Sequence, residues 1–358
     1  MSATPPTADL PDLPDLPDFV TYPDLASRAL AGSVIWATDE AFAERENLIR
    51  PNEPDFDPNE FGNKGKVYDG WETRRRRHDE IGANDAAIVR LGVPGQVKGV
   101  VVDTAWFTGN YPTQFSVWGL TLDEYLPAEE IAALPDEEWF TLVPVTDAQG
   151  DHKHYVETFP AGEAAFRRVT HVKLVMIPDG GIARLRVHGQ PALDPRFLSG
   201  TIDLAAVENG GRVTDCTNMF YSSPSNILAL GRARHMGEGW ENARRRGEGN
   251  DSVTVQLAGE GRVRWVEFDT SYFVFNAPGE VQLTGITASG EEVELVGRTR
   301  ALPDTRHRFL VSDPAEGETG PTPVVAVRAD VFPDGGISRL RVWGELTEAG
   351  RFDVESRW

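Results

Sequence analysis

The chain has 358 residues, 40% of them hydrophobic and 25% charged, which is the composition of a globular protein long enough for two domains of moderate size. Its net charge of −21 argues against a nucleic-acid partner, because the protein and the phosphates would repel each other. No apolar run is long enough to cross a bilayer, so we expect no membrane partner. An acidic start without a signal or transit peptide, and a single cysteine, Cys216, favour the cytoplasm.

The first segment, MSATPPTADLPDLPDLPD at residues 1–18, repeats Pro-Asp-Leu steps. Proline at this frequency is incompatible with a helix or a central strand. We therefore predict a disordered or loosely attached N-terminal arm, with docking on a neighbouring subunit as the alternative.

Four sequence blocks then occur twice in the same order, which indicates a duplicated domain. The pairs are TDEAF…NLI with TNMFY…NIL, DGWETRRRR with EGWENARRR, VDTAWFTGNYP with FDTSYFVFNAP, and IPDGGIARLRVHG with FPDGGISRLRVWG. They divide the chain into a first repeat at 19–195 and a second at 196–358, joined near QPALDPRFLS.

Within each repeat, short runs rich in Val, Ile and aromatic residues alternate with Gly, Pro, Asn and Asp clusters, which predicts strands and turns. In chain order, the predictions for the first repeat are a short helix around 25–30, strands at 86–91, 97–104 and 114–120, a helix at 126–135, and a strand at 169–177. PDGG at 178–181 lies between two such runs and predicts a hairpin turn. The fold class is all-β, with two tandem jelly-roll β-sandwiches.

The paired DGWE…RRR and PDGGI.RLRV.G blocks resemble the allantoicase family over nearly everything after the arm. The resemblance implies two galactose-binding-like jelly rolls, self-association into a homo-oligomer, and hydrolysis of allantoate to ureidoglycolate and urea in allantoin degradation, a part of purine catabolism. One departure is Asn84-Asp85-Ala86, where family members usually carry His-Asp-Trp. In the second repeat, Val274-Phe275 replaces Thr108-Gly109.

Allantoate would require a guanidinium for its carboxylate, amide-matching groups for its ureido arms, and an acid–base group for the departing urea. DGWETRRRRHD at 69–79 contains all three kinds of side chain. We therefore predict catalytic roles for Glu72, His78 and Asp103. The predicted substrate-binding residues are Lys66, Asp69, Trp71, Arg75, Arg77 and Asn110.

Each of these residues also has a structural interpretation. The arginines could form salt bridges with acidic strands, Glu72 could balance the arginine run, and Trp71, repeated as Trp240, could belong to the core. In an extended segment, Arg75 and Arg77 would share one face and Arg74 and Arg76 the other.

The sequence offers little for cofactors. It contains no phosphate-binding glycine loop, so no nucleotide or organic cofactor is expected. His152 and His154 form half of a metal site without an identifiable third ligand. We predict no specific metal ligands and leave a bound divalent ion as an open alternative.

Two other functional hypotheses remain open at this stage. A tandem sandwich of this type could bind a ligand without catalysis. Alternatively, the second repeat could have lost catalysis, since it has Gly247 in place of His78 and Ala243 in place of Arg74.

Overall fold

Strands dominate the computed structural model, which describes residues 16–77, 83–158, 167–192, 194–311 and 320–358. The strands of the first repeat are β1 Ser33–Ala37, β2 Phe61–Gly62, β3 Gly65–Lys66, β4 Trp71–Glu72, β5 Asp85–Asp103, β6 Gln114–Leu120, β7 Phe140–Asp147, β8 Lys153–Glu157, β9 Val169–Ile177, β10 Gly181–Ile182 and β11 Arg184–Pro191. Its helical elements are α1 at Ala128–Ala132 and 3-10 turns at Asp18–Thr21, Arg28–Leu30, Arg45–Ile49 and Asp136–Glu138.

The second repeat follows the same plan. Its strands are β12 Ile202–Asp203, β13 Arg212–Cys216, β14 Asp251–Asp269, β15 Glu280–Ile286, β16 Glu292–Arg300, β17 Arg306–Leu310, β18 Val324–Phe332 and β19 Arg339–Leu346. Its helical elements are 3-10 turns at Pro195–Phe197, Val207–Asn209, Pro224–Leu228 and Met236–Glu238, and the helix α2 at Glu348–Glu355.

One long strand connects the two layers of each sandwich. The first half of β5 pairs with β1 and β9, and its second half pairs with β8 and β11, with a register shift between Arg90 and Gly95. A Cβ on Gly92 would lie 2.0 Å from the carbonyl oxygen of Leu30, so the strand can pass this point only with glycine. β14 likewise pairs with β13 and β18 along its first half and with β17 and β19 along its second half.

Each repeat encloses its own apolar core. Trp71 and Phe115 belong to the first core, and Trp240 and Phe268 to the second, all four fully buried. The prediction of two tandem all-β sandwiches is therefore confirmed. Among the described residues, no helix is long and apolar enough to span a membrane.

The local predictions had mixed outcomes. Helix α1 lies within the predicted stretch 126–135, whereas the stretch 25–30 forms only the 3-10 turn Arg28–Leu30. The predicted PDGG hairpin is wrong: β9 pairs with β5 and β6, while β11 pairs with the other half of β5. The PDGG turn therefore carries the chain from one sheet to the other. Residues 1–15 of the predicted arm lie outside the described residues.

Candidate active site

The centre of the candidate site is a carboxylate–amide pair between two loops at one end of the first sandwich. Strand β4 places Glu72 opposite Gly181 of β10. The backbone N–H of Gly181 donates to the carbonyl oxygen of Asn110 at 2.7 Å, and the Asn110 side chain donates to Glu72 Oε1 at 2.8 Å. Gly181 therefore holds both members of the pair at once, which fixes their relative position.

The environment of Glu72 suits an acid–base group. Burial raises the pKa of Glu72, and the Asn110 hydrogen bond and the Arg75 charge counteract part of that rise. The Arg75 side chain is exposed, so its guanidinium is accessible to a ligand. A proton donor, an amide and a cation thus lie together at the surface.

A cleft of about 740 Å³ lies on the other side of the Phe42–Ala43 segment from the Glu72 backbone, and neither Glu72 nor Asn110 is among its lining residues. Its wall includes Lys66, Tyr68 and Asp69, together with the Phe42–Ala43 segment, whose N–H groups both donate to the Glu72 carbonyl oxygen. Burial, and then the charge of Glu72, raise the pKa of the Tyr68 phenol. The volume is in the range of small-molecule sites.

Stacked aromatic rings support the wall of the cleft. The Tyr68 ring lies 4.7 Å from that of Phe107 and 5.1 Å from that of Phe56, and Phe56 lies 5.5 Å from Trp106. The Lys66 ammonium lies 5.4 Å from the centre of the Phe56 ring, a cation–π contact. Tyr68 and Phe56 were not predicted as site residues.

The sequence does contain a signal for this wall in the spacing of the repeated blocks. Nineteen residues separate Ile49 from Asp69, whereas nine separate Leu228 from Glu238 in the second repeat. The longer segment contains strands β2 and β3 and forms most of the cleft. The ten additional residues between the matched blocks of the first repeat are therefore a sequence signal for the cleft.

Arg76 is the half-buried member of the arginine run, and Arg74 is exposed. Arg74 Nε donates to Asp39 at 2.7 Å, and half-buried Arg76 bonds to the carboxylate of Asp85. Arg75 and Arg77 are both exposed. The predicted catalytic His78 lies outside the described residues.

Two predicted substrate-binding residues have structural roles instead. Trp71 is fully buried, and its indole N–H donates to the Asp39 carbonyl oxygen at 2.8 Å, so substrate contact by Trp71 is a wrong prediction. The Asp69 carboxylate accepts from Arg184 at 2.6 Å and from Arg50 at 3.2 Å. Although burial alone would raise it, these contacts hold the pKa of Asp69 below its usual value, and the carboxylate supports the cleft wall.

Asp103, the third predicted catalytic residue, lies apart from this group. It is 2% exposed, accepts from the Ala105 N–H at 2.8 Å, and lines a separate pocket of about 360 Å³ with Lys153 and Arg186. Burial raises the pKa of Asp103. Asp103 thus opens onto a different pocket from the cleft near Glu72, and its catalytic role stays a prediction.

The histidine pair does not have the arrangement of a metal site. His154 Nδ1 lies 2.9 Å from the Val102 carbonyl oxygen, and its Nε2 accepts from the Gln149 N–H at 2.8 Å, so both ring nitrogens are occupied. Burial lowers the pKa of His154, consistent with a neutral ring. Within the described ranges, no group of three His, Cys, Asp or Glu side chains is placed to hold a metal.

The second repeat preserves the pair itself. Asn276 donates to Glu241 Oε1 at 2.6 Å, and its carbonyl oxygen accepts from the Gly336 N–H at 2.8 Å. Arg245 bonds to Asp251 as Arg76 does to Asp85. The duplication therefore conserves the hydrogen-bonded frame of the site, although the longer 50–68 segment is found in the first repeat alone.

Comparison with known proteins gives a consistent result over both repeats. The family model of the allantoicase repeat matches residues 23–192 and again 202–347. A probable allantoicase from Nocardia farcinica is 53% identical over 329 residues, covering 92% of this chain and 95% of the relative. An allantoicase from Dictyostelium discoideum is 37% identical, covering 89% and 86%. The crystal structure of an allantoicase from Saccharomyces cerevisiae superposes with a TM-score of 0.76 at 32% identity, covering 90% and 92%.

Proposed function

The chain belongs to the allantoicase family, and we propose on that basis that it hydrolyses allantoate to ureidoglycolate and urea. The family match across both repeats carries the proposal. The Glu72–Asn110 pair beside a cleft supplies the chemistry that the reaction needs.

The reaction replaces a C–N bond with a C–O bond. The oxygen of a water molecule bonds to the carbon that carries the carboxylate and the two ureido groups, and the bond from that carbon to one ureido nitrogen breaks. The nitrogen takes a proton from the general acid and leaves as urea, and the proton that the water loses returns to that acid, so that the sum is allantoate plus water to ureidoglycolate plus urea. Glu72, whose pKa is raised by burial, is the proposed proton donor, a role that contributes about 10²–10⁴ in rate.

The neighbouring groups match the rest of the substrate. The exposed guanidinium of Arg75 suits the substrate carboxylate, because arginine can bind a carboxylate through two parallel hydrogen bonds. The Asn110 amide, which holds Glu72, is the proposed partner of a ureido arm. Lys66 and Arg77 are retained as proposed binding residues at the edge of the site, and His78 as a proposed proton shuttle.

The direct test is turnover by the purified full chain. Allantoate is incubated with the protein, with and without added Mn²⁺, and urea and ureidoglycolate are measured. We expect both products in equal amounts and about a 10²-fold or greater loss of turnover in Glu72→Gln at an unchanged melting temperature. Saturable binding of allantoate without either product would instead support a non-catalytic ligand-binding protein.

We also propose that the chain forms a homo-oligomer in the cytoplasm, with residues 19–195 and 196–358 as its two domains. The second repeat exposes apolar side chains beside Glu241: Phe275 is 100% exposed, Tyr221 64% and Phe220 60%. Exposed aromatic clusters of this kind are typical of protein interfaces. Light scattering of the purified chain should give a mass of at least twice 39.4 kDa, and a monomer would contradict the oligomer.

A further inference from the structure

A second pocket, of about 350 Å³, lies on the outer face of the second sandwich, and Glu72 is not among its lining residues. The central strand β14 contributes Glu267 and Asp269 to its floor. In the paired registers, Arg308 and Arg341 flank Glu267, and Arg306 and Arg339 flank Asp269. Glu267 accepts from Arg306 and Arg308 at 2.7 and 2.9 Å, and Arg341 lies 3.4 Å from the Asp203 carboxylate, so Arg339 is the one of these four arginines for which the described residues supply no carboxylate within 4.0 Å.

Arg339 is the most deeply buried of these cations, at 4% exposure. Its guanidinium donates to the carbonyl oxygens of Gly231, Glu238 and Ser338 at 3.1, 2.7 and 2.7 Å. Within the part of the chain that the structure describes, no carboxylate accepts a hydrogen bond from it. The hydrogen bonds of the Arg339 guanidinium therefore go to backbone carbonyl groups and not to a carboxylate.

The equivalent buried arginine of the first repeat has a carboxylate partner. Arg184, the counterpart of Arg339, bonds to the Asp69 carboxylate at 2.6 Å. The corresponding acid of the second repeat, Glu238, accepts instead from Arg234 Nε at 2.7 Å. Arg184 and Arg339 each line a pocket, of about 360 and 350 Å³, so the two repeats differ here in the direct ion pair of the buried arginine.

The electrostatics of the pocket favour an added negative charge. Burial and the neighbouring Arg341 charge lower the pKa of Arg339, while Glu238 and Asp269 counteract this effect only in part. Five arginines and four carboxylic acids line the pocket, in a chain whose overall net charge is −21. A buried cation without a bound anion is unfavourable, so an anionic ligand would be stabilising here.

The pocket also has a flat apolar side. The rings of Trp265 and Trp343 stack 5.1 Å apart at an angle of 12°. The paired positions in the first repeat are Gly99 and His188, and Phe19 covers them, since a Cβ on Gly99 would lie 2.2 Å from the Phe19 ring. The equivalent pocket of the first repeat, of about 360 Å³, therefore has His188 at the position where the second-repeat pocket presents an indole ring of a stacked pair to a ligand.

We propose that this pocket is a separate binding site for a small planar organic carboxylate. The arginines bind the carboxylate, since a guanidinium matches its geometry. The stacked indoles contact the planar body of the ligand. The volume of about 350 Å³ suits a molecule of this size.

Isothermal titration of the full chain with benzoate, acetate and inorganic phosphate tests the proposal without reference to catalysis. We expect saturable 1:1 binding of benzoate per chain, with weaker binding of acetate and of phosphate. Because Arg308 and Arg232 are exposed lining residues, Arg308→Gln combined with Arg232→Gln should fold normally and weaken benzoate about tenfold or more. Trp343→Leu should reduce the preference for benzoate over acetate.

Lys153→Gln is the matched control, because Lys153 pairs with Asp103 in the first repeat as Arg306 pairs with Asp269 in the second. It should leave benzoate affinity unchanged. The proposal fails if no probe binds at millimolar concentration, if phosphate binds more tightly than benzoate, or if the double arginine variant binds as wild type. None of these outcomes bears on allantoate turnover, which is measured separately.

Discussion

At the scale of single residues, the protonation state of Glu72 should govern the pH dependence of turnover. A proton donor must be protonated, so activity should fall as the pH rises through the pKa of Glu72, which burial places above the usual 4.5. We expect Glu72→Gln to lose this alkaline decline together with about 10²–10⁴ of kcat/KM. An identical decline in the residual activity of Glu72→Gln would assign it to another group.

Asn110→Ala provides the control for this assignment. The Asn110 hydrogen bond lowers the pKa of Glu72 because it favours the charged carboxylate. Its loss should therefore move the alkaline decline to higher pH, whereas a residue that only supports the fold would change the melting temperature and leave the pH profile in place.

Asp69 should matter for stability more than for chemistry, because its carboxylate neutralises Arg184, whose side chain is 1% exposed. We expect Asp69→Asn to lower the free energy of unfolding by about 3 kcal/mol at neutral pH, measured by urea denaturation. The pKa of Asp69 is lowered in the folded protein, so this stabilisation is present above the usual 3.8 and is lost as the pH falls below it. The difference from wild type should therefore shrink in acid, while Asp57→Asn, at an exposed position, should have little effect at any pH.

At the scale of elements, the contact between β10 and the loop that follows β5 positions the site. A Cβ on Gly181 would lie 2.0 Å from the buried Phe107 ring, whereas a Cβ on Gly109 would meet no heavy atom within 4 Å. We expect Gly181→Ala to cost about 1–3 kcal/mol of stability and to reduce turnover by displacing Glu72, which pairs with Gly181. Gly109→Ala, two residues beyond Phe107, should match wild type in both measurements, and equal loss in the two variants would contradict this explanation.

The same elements show what the sequence could predict. Strand positions and the duplication follow from alternating apolar residues and matched blocks, which are local features of the sequence. The role of PDGG was mispredicted because alternation does not reveal which sheet a strand joins, and the bent strand β5 pairs with both neighbours.

Side-chain partners that are distant in sequence could not be predicted in the same way. The Glu72–Asn110 pair joins residues 38 positions apart, and Arg184 reaches Asp69 across 115. Residue type suggested all four of Glu72, Asn110, Trp71 and Asp103 as site residues. The fold was needed to show that Trp71 is buried in the core and that Asp103 lines a different pocket.

At the scale of the whole molecule, the two repeats share the carboxylate–amide pair but differ in the segments beside it. Both contain the carboxylate–amide pair, as Glu72–Asn110 and Glu241–Asn276. The segment 50–68, which forms most of the cleft of about 740 Å³, has a counterpart ten residues shorter in the second repeat. Phe275 is fully exposed at the position where the first repeat has Gly109. The first repeat therefore has room for a substrate beside its pair, while the second presents an apolar surface.

This asymmetry predicts unequal effects of matched substitutions. Glu72→Gln and Arg75→Ala should each lower kcat/KM for allantoate by about 10²-fold or more, because they remove the proposed proton donor and the carboxylate-binding group. Glu241→Gln and Arg244→Ala change the equivalent residues of the second repeat and should reduce it much less, with all four proteins melting near wild type. If the second-repeat variants abolish turnover and the first-repeat variants do not, the working site lies in the second repeat. If all four variants abolish turnover, catalysis requires the Glu72–Asn110 pair and the Glu241–Asn276 pair together. Light scattering and turnover of oligomers mixed from first-repeat and second-repeat variants would then show whether the two pairs must lie in the same chain.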